Sequence, residues 1–300
     1  MGLMKKLFIT DWLIIFYILF VLCWVLIGRN SIIENGNDPY KIFLQYASIL
    51  AGIIFVILLW HLTKSPIMQI VRFWYPCLLL GFFFSSATLM DRVIFKVEQD
   101  EFFQIIDYMI FGYQPAVVWG TENNTFLIQE LFHFAYFTYY PILFFIPLYI
   151  YIQKNKAEYI RVLFNLLFVF VACYVFYMFL PVVGGRYIEG VKELTTQYRH
   201  GIFTHTMVYI YNSATHWGGA FPSSHVAVML TLVLLSFRYF RSISLLLVIN
   251  FIFLSISTVF CHYHYFADVV GGVLYGFMMF VLSEFIYMLI GIKNRKYIDL

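Results

Sequence analysis

His264 and Asp268 stand four residues apart in the run His262-Tyr263-His264-Tyr265-Phe266-Ala267-Asp268. On a helical turn that spacing puts both side chains on one face. The carboxylate can then accept the imidazole Nδ1–H, which fixes the tautomer and leaves Nε2 as a nucleophile or base. His262 is two residues away and is expected to point elsewhere. A metal-binding His-x-His pair is the alternative, but no third ligand follows at a zinc-site spacing. A second island reads Gly218-Gly219-Ala220-Phe221-Pro222-Ser223-Ser224-His225. Proline suits a first helical turn. Serines and N–H groups at a helix start make an anion site, helped by the helix dipole, with His225 beside it. The alternative is a capped helix with an incidental histidine. A third island is Gly184-Gly185-Arg186-Tyr187. Its glycines allow a tight turn or a close approach to a ligand, and the planar fork of Arg186 suits a phosphate. The alternative is a turn followed by an arginine at an interface. Together the islands supply a cation, an anion-cradling helix start, a general acid and an oriented nucleophile. Those are the parts of metal-free phosphoryl transfer.

The elements that hold these residues follow from composition. The 300 residues are 62% hydrophobic and only 12% charged, whereas a soluble chain carries about 25% charged residues. The mean hydropathy is +0.82. An ordinary soluble domain is excluded, and so is disorder, which needs low hydrophobicity and high charge. A net charge of +3 leaves no electrostatic footprint for nucleic acid. Cys23, Cys77, Cys173 and Cys261 form no CxxC pair and are expected to be small buried hydrophobes. Lys5 and Lys6 precede a long apolar stretch with no small-x-small cleavage pattern, so a retained first span is expected rather than a signal peptide.

A helix crossing the hydrocarbon core needs roughly 20 mostly apolar residues. Eight segments qualify, at 9–28, 43–62, 73–90, 131–152, 162–183, 223–240, 243–260 and 268–292. The fold class is therefore an all-α polytopic membrane bundle of about eight spans. Residues 91–130 are acidic and contain the apolar run 102–111, which reads as an interfacial amphipathic helix or an ordered loop. The positive-inside rule puts both termini in the cytoplasm. Lys5, Lys6, Lys64, Arg72, Lys154, Lys156, Arg161, Arg238, Arg241, Lys293, Arg295 and Lys296 then lie inside, the majority of the 19 basic residues. Arg186, His225 and His264 all fall on the outer face in this topology.

These residues resemble the type 2 phosphatidic acid phosphatase superfamily, which includes the vanadium haloperoxidases. Its signature is K-x6-R-P, then P-S-G-H, then S-R-x5-H-x3-D. The second element is similar to Pro222-Ser223-Ser224-His225. The third is similar to Ser257-Thr258, five residues, His264, three residues and Asp268, and Arg186 fits the first. The resemblance covers about 73–292 and implies a six-span core at 67–293, a two-span N-terminal addition at 1–66 and a tail at 294–300. It also implies that His264 attacks phosphorus and becomes a phosphohistidine, that Asp268 orients it, and that His225 protonates the leaving group. Arg186, Ser223 and Ser224 would hold the phosphoryl oxygens, with no metal and no cofactor.

Four positions depart from the pattern. The family's first-element Lys falls on Phe179 and its Pro on Tyr187, the third-element Arg falls on Thr258, and the Gly of the second element is Ser224. A pentacoordinate phosphorus still needs positive charge, which Lys192, Arg199, His200, His205, His216 or His262 could supply. The expected function is an integral-membrane lipid phosphate phosphatase working at the extracytoplasmic face of a plasma or inner membrane, with lipid phosphate and membrane lipids as its partners. The alternative is a lipid phosphotransferase similar to inositol phosphorylceramide or sphingomyelin synthases, which relax the same basic positions. The stretches 107–115, 129–131 and 136–140 also look like that branch. A non-catalytic transporter or structural bundle is the third reading. Against it, the span interiors hold almost no ionisable groups besides His133 and Glu284, where transport paths place them near the midplane. His133 itself reads as a hydrogen-bonded packing residue.

Overall fold

A segment inside hydrocarbon has to satisfy its own backbone N–H and C=O groups, so long apolar runs become helices. The computed structural model describes residues 7–63, 65–122, 125–153, 156–191, 201–213 and 218–290. Apart from one 3-10 turn at Gly185–Tyr187, every regular element among them is an α-helix. In chain order these are α1 (Ile9–Ile27), α2 (Arg29–Glu34), α3 (Pro39–Thr63), α4 (Pro66–Ala87), α5 (Asp100–Phe111), α6 (Pro115–Glu122), α7 (Phe126–Phe137) and α8 (Tyr139–Gln153). They are followed by α9 (Lys156–Phe179), α10 (Ile202–Ser213), α11 (Ser224–Tyr239), α12 (Ser244–Phe260) and α13 (Phe266–Ile290).

Six units are long and apolar enough to cross a membrane: α1, α3, α4, the α7–α8 pair, α9 and α13. Each of the eight expected segments contains a helix, but α11 and α12 have only 16 and 17 residues, short of the roughly 20 a perpendicular span needs. Boundaries also moved. The third segment starts at Pro66, not 73, because proline at the first helical position is pre-set for a helix. The fifth ends at Phe179, and 181–184 is irregular chain leading to Arg186. The α7–α8 unit is interrupted at Thr138, whose Oγ1 donates to the Ala135 carbonyl at 2.6 Å and accepts from Asn250 Nδ2 of α12 at 2.7 Å. Side-chain back-bonding of that kind bends helices.

α9 is the central helix, packed by α1, α4, α8, α11 and α13. α11 lies against α13, and their starts meet closely at Gly272, where a Cβ would come within 2.7 Å of the Ser223 carbonyl. Two polar knots tie the other end of the bundle. Asp11 accepts from both Arg72 Nη groups and from Tyr75 Oη, with the ion pair fully buried. Arg161 of α9 pairs with Glu284 of α13. Burying charge costs desolvation that the pairing only offsets, so such a pair specifies which helices meet more than it stabilises them.

Three expectations need correction. Arg72, assigned to the inner surface as a topology-setting charge, is buried against Asp11. Cys23 is exposed on the outward face of α1 and Cys77 is only partly buried, while Cys173 and Cys261 are buried. In a membrane bundle an apolar residue faces lipid as readily as core, so hydrophobicity alone does not assign burial. Pro222 lies before the N-cap Ser223, outside the first turn of α11.

Candidate active site

The three sequence islands lie at one end of the bundle, where α9 and α12 finish and α11 and α13 begin. His264 ends the short connection from α12 and Asp268 sits in the first turn of α13. His264 Nδ1–H donates to Asp268 Oδ2 at 3.3 Å, and the same carboxylate oxygen accepts from the Tyr265 backbone N–H at 2.8 Å. The expected i, i+4 pairing is therefore made. Nε2 of His264 lies 3.3 Å from Ser223 Oγ. Burial, and next the nearby Arg186 guanidinium, push the His264 imidazole down to about 3 from its usual 6.5. The ring is neutral at neutral pH and its Nε2 carries a lone pair.

The segment 183–185 reaches the same spot by backbone contact. Gly184 has φ +93, and a Cβ there would lie 2.2 Å from the Tyr263 carbonyl. Only glycine fits, which is why the Arg186 turn can press against the turn-rich connection bearing His264. The Arg186 guanidinium carbon lies 4.7 Å from the Tyr211 ring centroid and 5.5 Å from that of Tyr263. Those two rings are stacked at 3.6 Å with their planes 8° apart. Cation–π contact of this kind holds a guanidinium without neutralising it.

His225, in the first turn of α11, has its ring 6.1 Å from that of His264. Tyr139 and Tyr136 pack on it at 4.6 and 5.0 Å. Tyr136 Oη lies 3.2 Å from His225 Nε2 and is hydrogen-bonded to Tyr211 Oη. Ser223 makes no capping hydrogen bond with its side chain, which is turned to His264 instead. The Ser224 N–H donates to Tyr177 Oη at 3.2 Å.

Arg186, Ser224, His225 and His264 line one end of a cavity of about 540 Å³. Ser223 and Asp268 are fully buried behind them. From this polar end the cavity runs between α4, α8 and α9, past Ser85, Gly81 and Leu143 to Trp74 and Pro147. All six sequence-selected residues thus converge. The suggested replacement cations do not. His262 has a positive φ of 66 and donates from Nδ1 to the Ala116 carbonyl at 2.6 Å, away from His264. His205 is exposed and bonds the Gly201 carbonyl one turn back. Lys192, Arg199, His200 and His216 lie outside the described residues. Phe179 stacks on Phe20 and packs tilted against Trp24 of α1, and Thr258 Oγ1 donates to the Ser255 carbonyl within its own helix. Neither position faces the cavity. His133 donates to the Gln129 carbonyl and packs. Among the described residues no three His, Cys, Asp or Glu side chains converge as a metal site would need.

Two carboxylates that sequence reasoning did not select hold the site together. Asp100 accepts from the Val183 and Gly184 N–H groups at 2.8–3.1 Å and from Tyr265 Oη at 3.0 Å. Asp107 accepts from the N–H groups of Phe266 and Ala267 at 2.8 and 2.9 Å. Both lie on the inward face of α5, whose other face exposes Phe102, Ile105, Tyr108 and Met109. Burial pushes Asp100 up to about 6 and raises Asp107, against the pull of these donors. Their seven-residue spacing, two turns of one face, was the available signal. Glu130 does similar work for α10, accepting from the Phe203 and Thr204 N–H groups at its first turn, and so presents Tyr211 to Arg186.

Asp107→Ala would leave one buried and one partly buried N–H group at the start of α13 without their acceptor. The expected cost is about 1–3 kcal/mol for each group stranded. Hydrogen exchange should accelerate at 265–268 in particular; exchange unchanged there would mean that α5 does not clamp this segment.

A family model described as the PAP2 superfamily matches residues 102–282, more than half of the chain. The match spans every residue placed at the polar end of the cavity and α5 almost entirely. No curated protein and no solved structure matches.

Proposed function

This chain belongs to the PAP2 superfamily, and we propose that it is an integral-membrane lipid phosphate phosphatase acting through a phosphohistidine on His264. The observation that carries the reading is a single cavity, polar at one end with Arg186, Ser224, His225 and His264, and apolar where it continues between membrane-length helices. A phosphate group suits the first part and a hydrocarbon tail the second.

In this mechanism the neutral Nε2 of His264 attacks phosphorus while Asp268 holds Nδ1–H. The bond from phosphorus to the lipid oxygen breaks, and His225, entering the step protonated, gives its proton to that oxygen. Water then attacks the phosphohistidine, His225 takes a proton from it, and phosphate leaves with His264 restored. Arg186 and the first turn of α11 stabilise the charge on the equatorial oxygens. The Ser223 hydroxyl, 3.3 Å from Nε2, is placed to bond a phosphoryl oxygen once phosphorus reaches that nitrogen. No step calls for a metal. We further propose eight crossings, with α11 and α12 as short spans, both termini cytoplasmic and the cavity's polar end at the outer face. The six crossings of 67–293 would form the phosphatase core.

Transfer of the phosphoryl-bearing group to a lipid or polyol hydroxyl is the second reading. The observation favouring it is that Phe179 and Thr258, where a hydrolase of this family carries cations, are turned into packing. One experiment separates the two. Purified protein is given labelled lipid phosphates with candidate hydroxyl acceptors in the presence of EDTA, and the products are resolved. Free phosphate is expected; a new labelled phospholipid would replace hydrolysis with transfer. A strict need for added divalent metal would overturn both.

A further inference from the structure

The apolar part of the cavity is long, narrow in composition and continuous with the candidate phosphate site. Along α4 it extends from Ser85 at the polar end to Trp74, eleven residues, or about 16 Å at 1.5 Å per residue. That is close to the depth of one leaflet of a ~30 Å hydrocarbon core. Its lining includes Leu78, Leu143, Leu166 and Phe170, and at its far end Trp74 packs on Phe144, with ring centroids 5.8 Å apart; Leu78 and Phe144 are exposed, so the cleft is open along its outer side. One wall position has no side chain. Gly81 lies one turn below Ser85 and lines the cavity on its exposed side, where a Cβ meets no atom within 4 Å. Helical Cα–Cβ bonds tilt toward the N-terminus, so a side chain at 81 would grow toward Cys77 and Leu78, down the cleft.

We infer that this cleft is a slot for the hydrocarbon tail of the phosphate ester and that Gly81 determines how long a tail it accepts. The occupant follows from continuity: the slot opens onto Arg186, His225 and His264, so a molecule reaching its phosphate into that end lays its own tail along α4. The identity of the head group rests on the phosphatase reading; the slot itself rests on the cavity and the empty position at Gly81.

The test is Gly81→Phe, assayed with butyl and hexadecyl phosphate in mixed micelles. Phenylalanine is a better helix former than glycine, so α4 is not weakened. The variant is expected to keep kcat/KM for butyl phosphate within about twofold and to lose at least about tenfold for hexadecyl phosphate, since each methylene refused its apolar contact is worth about fourfold. Equal effects on both substrates, or none on either, would overturn the slot. A second measurement is independent of turnover. Hexadecyl phosphate with a diazirine at its terminal carbon should crosslink to peptides containing Trp74 or Phe144 in the unaltered protein, and not in Gly81→Phe. Crosslinking at those peptides without any phosphate release would retain the slot and remove the phosphatase reading. Phosphate release with crosslinks elsewhere would do the reverse.

Discussion

His264→Ala is expected to abolish phosphate release from a lipid phosphate, with a fall in kcat of at least about 10⁴, on the scale of losing a nucleophile from a triad. The reason is geometric and electrostatic together. Nδ1 is committed to Asp268, so Nε2 is the nitrogen left to attack. Burial and Arg186 push the imidazole down to about 3, so the attacking neutral form predominates at neutral pH. The same depression ties folding to pH. Between 6.5 and about 3 the unfolded chain binds a proton at this histidine that the folded chain refuses, so stability falls as pH drops through that window. His264→Ala should remove that part of the acid sensitivity as well as the turnover. Two readouts check it: acid-labile, base-stable labelling of the protein by labelled substrate, present in the parent and missing in the variant, and unfolding in detergent followed between pH 4 and 7. Turnover near normal in a folded variant would end the phosphohistidine mechanism.

What could be read in the sequence was what depends on local spacing. His264 and Asp268 meet because i, i+4 is a property of any helical turn. Ser223 and Ser224 begin a helix because the apolar run starts there. Their convergence with Arg186 was expected because all three islands fall at the same ends of successive apolar segments, and the structure brings them to one cavity. The failures have the opposite origin. That Tyr211 stacks on Tyr263 beneath Arg186 depends on where α10 settles, and α10 is set by Glu130, seventy-odd residues away in the chain. Asp100 and Asp107 fall in a stretch that reads as an interfacial amphipathic helix or an ordered loop; the helix is there, but its acidic face turns inward to the backbone of 183–184 and 266–267. Phe179 was judged by what it replaces, yet its neighbours are Trp24 and Phe20 of α1, a contact no motif records. Burial was the least legible property: Cys23 and Cys173 sit in equally apolar runs, and one faces outward while the other is enclosed.

His225→Ala is expected to lower the rate in a manner that depends on the leaving group. An alkoxide needs a proton as the bond to phosphorus breaks, and a positioned general acid contributes about 10²–10⁴ to such a step. An aryl phosphate with an acidic phenol leaves without that help. The variant should therefore lose about 10²–10⁴ in kcat on an alkyl or lipid phosphate and far less on para-nitrophenyl phosphate. His264→Ala, by contrast, should lose both activities together. Tyr136 sharpens the expectation, because its hydroxyl lies 3.2 Å from His225 Nε2 and is itself bonded to Tyr211. Tyr136→Phe keeps the ring that packs on His225 and removes only that hydroxyl, so it should reproduce the leaving-group bias of His225→Ala at smaller amplitude. A packing defect would depress both substrates alike. If His225→Ala slows the aryl and the alkyl phosphate equally, His225 binds phosphate rather than donating a proton. The positive charge missing from positions 179 and 258 would then be carried, in part, by that histidine.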